Sequence, residues 1–433
     1  MKLSNLTLAC LLATSGLSAA SIANAGTTDG FEFHGYFRAG VLASADDDFK
    51  RAKWVGQKET LGRLGIETDN DMSLKFIKTF DVDDKSIRIN VGVAGASDEN
   101  NALGSSNGAT HMGFGETFVQ FGGITETGSF WGGKRDYGKD NYIFMTDFFY
   151  TDMSGTGLGV EGYEVGNTKW DFAYIASDRS DNNAGRYGNQ TNNLMHTVHV
   201  GANFGAFELH GTVKSMTDNT VEVGDGVFDT DLAEFGYDLT AIYSLESFLG
   251  LPGNGFSKVI AQAGKGLGSG NLLGGTITTY NSYHPGSLQQ GGGDGTTNIT
   301  HVQEDDLSAR LLVWGGYFLD NGINLFPAIQ GQYNDHEDGS LDYWASAMVR
   351  PVFPIADNFS IATEVGYVYN YMEAADGNGG SWIQQKVTVA PTWTIGTGMG
   401  PAPEIRLLGT YLPQGGADQD GDFIVGMQAD MWW

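Results

Sequence analysis

"FEFHGYFRAGV", residues 31–41, alternates apolar and polar side chains almost without a break. Phe31, Phe33, Phe37, Ala39 and Val41 fall on odd positions, while Glu32, His34, Tyr36 and Arg38 fall on even ones. Successive side chains of a strand point to opposite sides, so this stretch predicts a β-strand with one greasy face and one wet face. The same dyad returns in "SIRINVGV", where Ile87, Ile89, Val91 and Val93 oppose Arg88 and Asn90. In "HVGANFGAFELHGTV", Val200, Ala202 and Phe204 lead through a tight Gly205-Ala206 turn to Phe207, Leu209 and Val213. "KVTVAPTWTI" and "PEIRLLGTYL" repeat it near the carboxyl end, with Val387, Val389, Trp393 and Ile395, then Ile405, Leu407 and Tyr411, on one face.

The connections differ in length. "TDND" at Thr68 to Asp71, "GNT" at Gly166 to Thr168 and "ADN" at Ala356 to Asn358 are short. "SDENNALGSSNGATH", "SDRSDNNAGRYGNQTNN" and the stretch from Gly266 to Asp306 are long and rich in Gly, Asn, Ser and Asp. Short turns at one end and long loops at the other, joining strands of about 10 residues, describe an antiparallel β-barrel that crosses a membrane. In hydrocarbon every backbone N–H and C=O needs a partner, and strands closed on themselves supply one to each. The polar alternate face then lines a lumen. Dividing the chain into strand-plus-connection units of roughly 22 to 26 residues yields 16 to 18 strands, wide enough for an aqueous channel.

Composition narrows the class. Lys2, the apolar stretch Leu6 to Leu17 and the small-residue pattern Ala23-Asn24-Ala25 read as a secretory signal, residues 1–25, with the barrel occupying 26–433. Cys10, the single cysteine, lies inside that signal. A lipid-attachment reading of Cys10 is disfavoured, since Thr7 stands where such a box has leucine. Cleavage after Ala25 leaves an exported chain with no disulfide and no thiol chemistry. A net charge of -28 argues against nucleic acid as a partner, since its phosphates would be repelled. No cofactor or metal site is expected. "DQDGD" at Asp418 to Asp422 lacks the glutamate that completes a calcium loop, and reads as an exposed acidic loop. The Asn189 and Asn298 sequons read as plain loop residues. A secreted glycosidase would need two carboxyl groups set across a sugar bond, and no acidic pair is marked out for that task.

Five blocks carry a family resemblance: "FHGYFRAG" at 33–40, "GRLGIE" at 62–67, "WGGKRDYGKDNYIFMTDFFYTDMSGTGLG" at 131–159, "FSKVIAQ" at 256–262 and the terminal "MWW". Together, and in this order, they resemble the maltoporins, trimeric sugar-specific porins of the Gram-negative outer membrane. The resemblance implies an 18-stranded barrel, a homotrimer among outer-membrane lipids, and a lumen narrowed by an infolded third loop. It further implies an aromatic line that guides maltose and maltodextrins past flanking polar groups, with no catalysis. The chemistry is coherent, because a pyranose offers apolar C–H faces to aromatic rings and a rim of hydroxyls to paired donors and acceptors.

By that resemblance, Tyr36 is an aromatic of the sugar path, and Arg38 and Arg63 belong to its polar track, Arg63 sharing its lumenal phase with Glu67. Asp147 falls on a constriction aspartate, Phe149 where a tyrosine is expected and Lys139 where an arginine is expected. Glu116 takes a lumenal position whose neighbouring arginine is here Gly115. Other positions depart from the pattern. Asp71 and Ser73 replace a tyrosine and a glutamate, and the second loop lacks a tryptophan. Leu239, with Tyr237 close by, replaces a phenylalanine; Ile355, with Phe353 and Phe359 as substitutes, replaces a tryptophan. These departures leave a general diffusion porin, or selectivity for another oligosaccharide, as the alternative.

Strand phase separates the two last residues. Along "DFIVGMQADMWW" Phe423, Val425, Met427, Ala429, Met431 and Trp433 share the apolar face, while Gln428, Asp430 and Trp432 share the other. Trp433 is expected at the lipid interface and Trp432 in the lumen, beside Tyr36 once the barrel closes.

Overall fold

The computed structural model describes residues 30–52, 58–67, 70–97, 111–139, 141–178, 194–216, 220–223, 226–229, 233–276, 302–395, 403–413 and 421–433. The signal segment, the two sequons and most of the "DQDGD" loop lie outside these residues. Eighteen strands form one sheet in which every pairing is antiparallel and the last strand bonds to the first. In chain order they are β1 (Phe31–Ser44), β2 (Asn70–Val82), β3 (Lys85–Ser97), β4 (His111–Gly122), β5 (Ser129–Arg135) and β6 (Gly155–Val165). Next come β7 (Thr168–Asp178), β8 (Leu194–Asn203), β9 (Phe207–Met216), β10 (Phe235–Leu245), β11 (Asn254–Gly266) and β12 (Leu307–Phe318). The sheet is completed by β13 (Asn324–Asp335), β14 (Leu341–Ala356), β15 (Phe359–Glu373), β16 (Gly379–Thr394), β17 (Glu404–Leu412) and β18 (Asp422–Trp432).

Period-2 phase held on the wall. Phe76, Ile89, Val198, Ile329, Val387, Leu407 and Met427 point outward and are exposed, as lipid-facing side chains must be. Their neighbours Asn90, His199, Gln330, Lys386, Arg406 and Gln428 point inward and are buried. Gly166-Asn167, Phe204 to Ala206 and Asp357-Asn358 make short turns at one end, as expected. At the other end the predicted long loops are interrupted by two short ones, 336–340 and 374–378.

Two segments, not one, fold into the lumen. The third loop, 136–154 between β5 and β6, enters as expected and forms a small ribbon in which Tyr142 pairs with Phe149. The first loop, between β1 and β2, also enters: 58–67 begins as a short helix, Lys58–Leu61, and its residues are buried throughout. "GRLGIE" is therefore not a strand, and Asn70 and Asp71 of "TDND" belong to β2 rather than to a hairpin turn. Gly62 and Gly65 adopt φ of 86° and 76°, which breaks the extended path that alternation suggested.

The inner surface is correspondingly less polar than phase alone implied. Leu61, Leu64 and Ile66 of the first loop and Ile143, Met145 and Tyr150 of the third share an apolar cluster with Ile260, Leu312 and Met348 of the wall. Truncating one such leucine to alanine typically costs about 2–5 kcal/mol, so these contacts contribute substantially to holding both loops inside the barrel.

Candidate functional site: the constriction of the lumen

β1 carries Tyr36 and Arg38 on its inner face. Tyr36 sits at the register position of Trp432 on β18 and Ser73 on β2; Arg38 sits at that of Asp430 and Asp71. This places Tyr36 and Trp432 side by side on the wall, with a charged row immediately on their loop side.

The loops complete that row. Arg38 donates from Nη1 to the Tyr36 hydroxyl at 2.6 Å and to Asp147 of the third loop at 3.1 Å, and its Nε lies 3.2 Å from Glu67 of the first loop. Arg63 reaches Glu67 at 3.0 Å, the Tyr142 hydroxyl at 2.8 Å and Asp147 at 3.4 Å, and pairs closely with Asp430. Lys58 is 3.0 Å from both Glu67 and Asp147. Three cations thus interlock with the carboxylates of Asp147, Glu67 and Asp430. Burial pushes the Asp147 carboxyl up, but Arg63, Lys58 and Arg38 together hold it well below the usual carboxylate range. Asp147 also adopts φ 57°, a left-handed conformation that aspartate tolerates better than most residues.

The predicted residues divide by role. Tyr36, Phe149 and Trp432 are half-buried, with ring surface open to the lumen. The side chains of Asp147 and Lys139 keep a partial opening, 18 % and 24 % exposed. Arg38, Arg63 and Glu116 are buried. The two arginines are engaged with protein groups and position Tyr36 and Asp147. Glu116 lies apart: it meets Lys75 at 2.5 Å and accepts the Asp136 amide at 3.2 Å, which ties the base of the third loop to the wall. Lys139 bonds Asp152 at 3.2 Å and lies over the Phe149 ring at 5.3 Å, while Phe149 packs on Tyr142 with centroids 5.2 Å apart. Trp432, Tyr36, Asp147, Tyr142, Phe149 and Lys139 are thereby joined as one surface.

Several expected substitutes fail. Tyr237 and Leu239 on β10, and Ile355 on β14, are about half exposed on the outward face. Phe353 shares the outward phase of Ile355, and Phe359 stacks on the outward Trp393 at 5.1 Å. None of them lines the lumen, because each sits one residue out of phase with the buried polar face of its strand.

The structure supplies inward aromatics elsewhere. Phe256 of β11, Trp314 and Phe318 of β12 and Phe326 of β13 form a contiguous patch near the short-turn end, with neighbouring centroids 5.4–6.3 Å apart. Phe144 of the third loop meets Phe326 edge-on at 4.8 Å. Residues 144 and 147 therefore touch the β13 wall and the β1 wall, and the third loop bridges the lumen. Phe256 opens the "FSKVIAQ" block, and its inward phase was the available signal. A second anchor also went unread: Glu364 receives Arg350 at 2.6 Å, Lys386 at 2.6 Å and the Leu64 amide at 3.0 Å.

A family model described as LamB porin matches residues 31–433. The chain belongs to the LamB porin family. The chain is similar to proteins named maltoporin: 28 % identical to one from Vibrio cholerae serotype O1, over 94 % of this chain and 96 % of that one, and 27 % identical to one from Hahella chejuensis, over 93 % and 92 %. Among solved structures it is similar to OmpT, an outer membrane protein of Vibrio cholerae, at 14 % identity, covering 93 % of this chain and 99 % of that one, with a TM-score of 0.41. The chain is an outer-membrane β-barrel channel.

Proposed function

We propose that this porin passes sugars, maltose and maltodextrins foremost, by facilitated passive diffusion along an aromatic-lined lumen. It acts as a homotrimer seated in outer-membrane lipids, after export and removal of residues 1–25, and it catalyses nothing. The observation that carries the reading is the juxtaposition of Tyr36 and Trp432 at one register position, directly beside Asp147 and the bridging third loop. Such aromatic rings accept the apolar face of a pyranose while the edges of Asp147 and Lys139 accept or donate to its hydroxyls. Phe326 and Phe318, half-buried and packed against the buried Phe256 cluster, extend the aromatic lining toward the exit. Cation and carboxylate numbers match around the constriction, which suits neutral cargo better than ions.

One observation favours a general diffusion porin instead: Tyr237, Leu239, Phe353, Ile355 and Phe359 face outward, so the aromatic line is interrupted between Tyr36 and the patch on the opposite wall. Single-channel current in planar bilayers decides between them. Sugar transport predicts concentration-dependent block by maltotriose; an ion current indifferent to any maltodextrin leaves the general porin.

A further inference from the structure

Asn370 is 1 % exposed, yet neither its amide oxygen nor its amide nitrogen has a protein partner. It lies on the inner face of β15, close to the loop end. Trp344 of β14 and Trp382 of β16 occupy the matching register positions on either side. One inward position further along, Ser346 and Gln384 flank Val368 in the same way. The Ser346 hydroxyl and the Gln384 amide oxygen are also buried without a protein partner. A hollow of about 370 Å³, lined by Met372, Asn378, Gly379, Gly380, Ser381 and Trp382, opens at the loop-side edge of this patch.

A buried polar atom left unpaired destabilises the fold, so several such atoms gathered on one patch of wall call for an outside partner. The composition specifies its chemistry. No residue of the patch is charged, which disfavours an ion. The amides of Asn370 and Gln384 and the Ser346 hydroxyl together both donate and accept, as a ring of hydroxyls requires. The half-buried Trp382 indole, which lines the hollow, offers an apolar face on one side of the amide, and the buried Trp344 indole backs it on the other.

We propose that Trp344, Ser346, Asn370, Trp382 and Gln384 form a second sugar-binding subsite at the loop-end mouth, where an oligosaccharide is captured before it reaches Tyr36 and Trp432. The proposal rests on the sugar-channel reading above and extends it to a different part of the wall.

The test uses the full chain in planar bilayers with maltotriose as probe. Asn370→Ala should weaken block about five-fold, chiefly through slower association, with the open-channel ion conductance unchanged. In a Trp432→Ala background, maltotriose should still alter tryptophan fluorescence, and adding Asn370→Ala should abolish that change. Trp382→Leu, at a half-buried position, carries the same test if the Asn370 variant fails to fold. Undiminished block and an undiminished fluorescence change in these variants, with wild-type block intact, overturn the mouth subsite alone. A wild-type channel that maltotriose neither blocks nor perturbs overturns the sugar-channel reading, and the subsite with it.

Discussion

Tyr36 and Trp432 are partners across the closing seam of the barrel, one near the start of the chain and the other one residue from its end. Their rings become neighbours only because β18 bonds to β1. On the function proposed above, closure of the barrel therefore also assembles the sugar path.

Removing the Trp432 ring should weaken maltotriose block by roughly ten-fold, about 1.4 kcal/mol. Trp432→Ala removes lumenal surface without leaving an unpaired group in lipid, so thermal stability should stay near wild type. Bilayer current with increasing maltotriose measures the effect, and unchanged block would remove Trp432 from the path.

Asp147→Asn strips one carboxylate from beside Arg38, Lys58 and Arg63. Breaking a buried ion pair from one side costs about 3–5 kcal/mol. The third loop should loosen, conductance should rise, and selectivity should shift toward anions because one positive charge is left uncompensated. The reversal potential in a salt gradient reads the shift. The pH dependence follows from the depressed folded value: the contribution of Asp147 is fully present above an unfolded value of about 3.9 and is lost only as pH falls through the still lower folded one. Between pH 5 and 7 the charge of Asp147 itself should accordingly not change.

His336, in the turn between β13 and β14, bonds Asp306 at 3.3 Å and Asp342 at 2.7 Å. Burial opposes its charge, but the hydrogen bonds to those two carboxylates win and push its pKa up to about 10. A raised histidine stabilises fully below its unfolded value of about 6.5, and the contribution disappears as pH climbs through about 10. Protease resistance at this turn should therefore decline between those limits. His336→Gln should flatten that decline, and an unchanged slope would show that the histidine does not hold the turn.

Trp433 lies over Gly35 and meets Phe33 at 5.5 Å, while Phe33 stacks on Phe76 at 5.2 Å. A Cβ at Gly35 would run into the Trp433 ring. Gly35→Val should thus lower the yield of heat-resistant folded barrel, and Trp433→Ala in the same chain should restore part of it. A double variant worse than either single one would refute this packing account.

Alternation alone told which residues face lipid and which face inward, strand after strand, because the pleat repeats every two residues and a bilayer punishes any error of phase. From that came the barrel, the opposite facing of Trp432 and Trp433, and the inward placing of Tyr36 and Arg38. The same rule, applied strictly, would have shown that Leu239 and Ile355 are out of phase for the lumen. Loops obey no such period. That 58–67 enters the lumen beside the third loop, that Arg63 meets Asp430 across 367 residues, and that Phe144 and Asp147 span the channel were decided only by tertiary structure. The physical reason is that phase assigns a side chain to a face, whereas height on the barrel wall, and the partner found across the lumen, depend on closure of the sheet and on where buried charges and apolar loop residues find their counterparts.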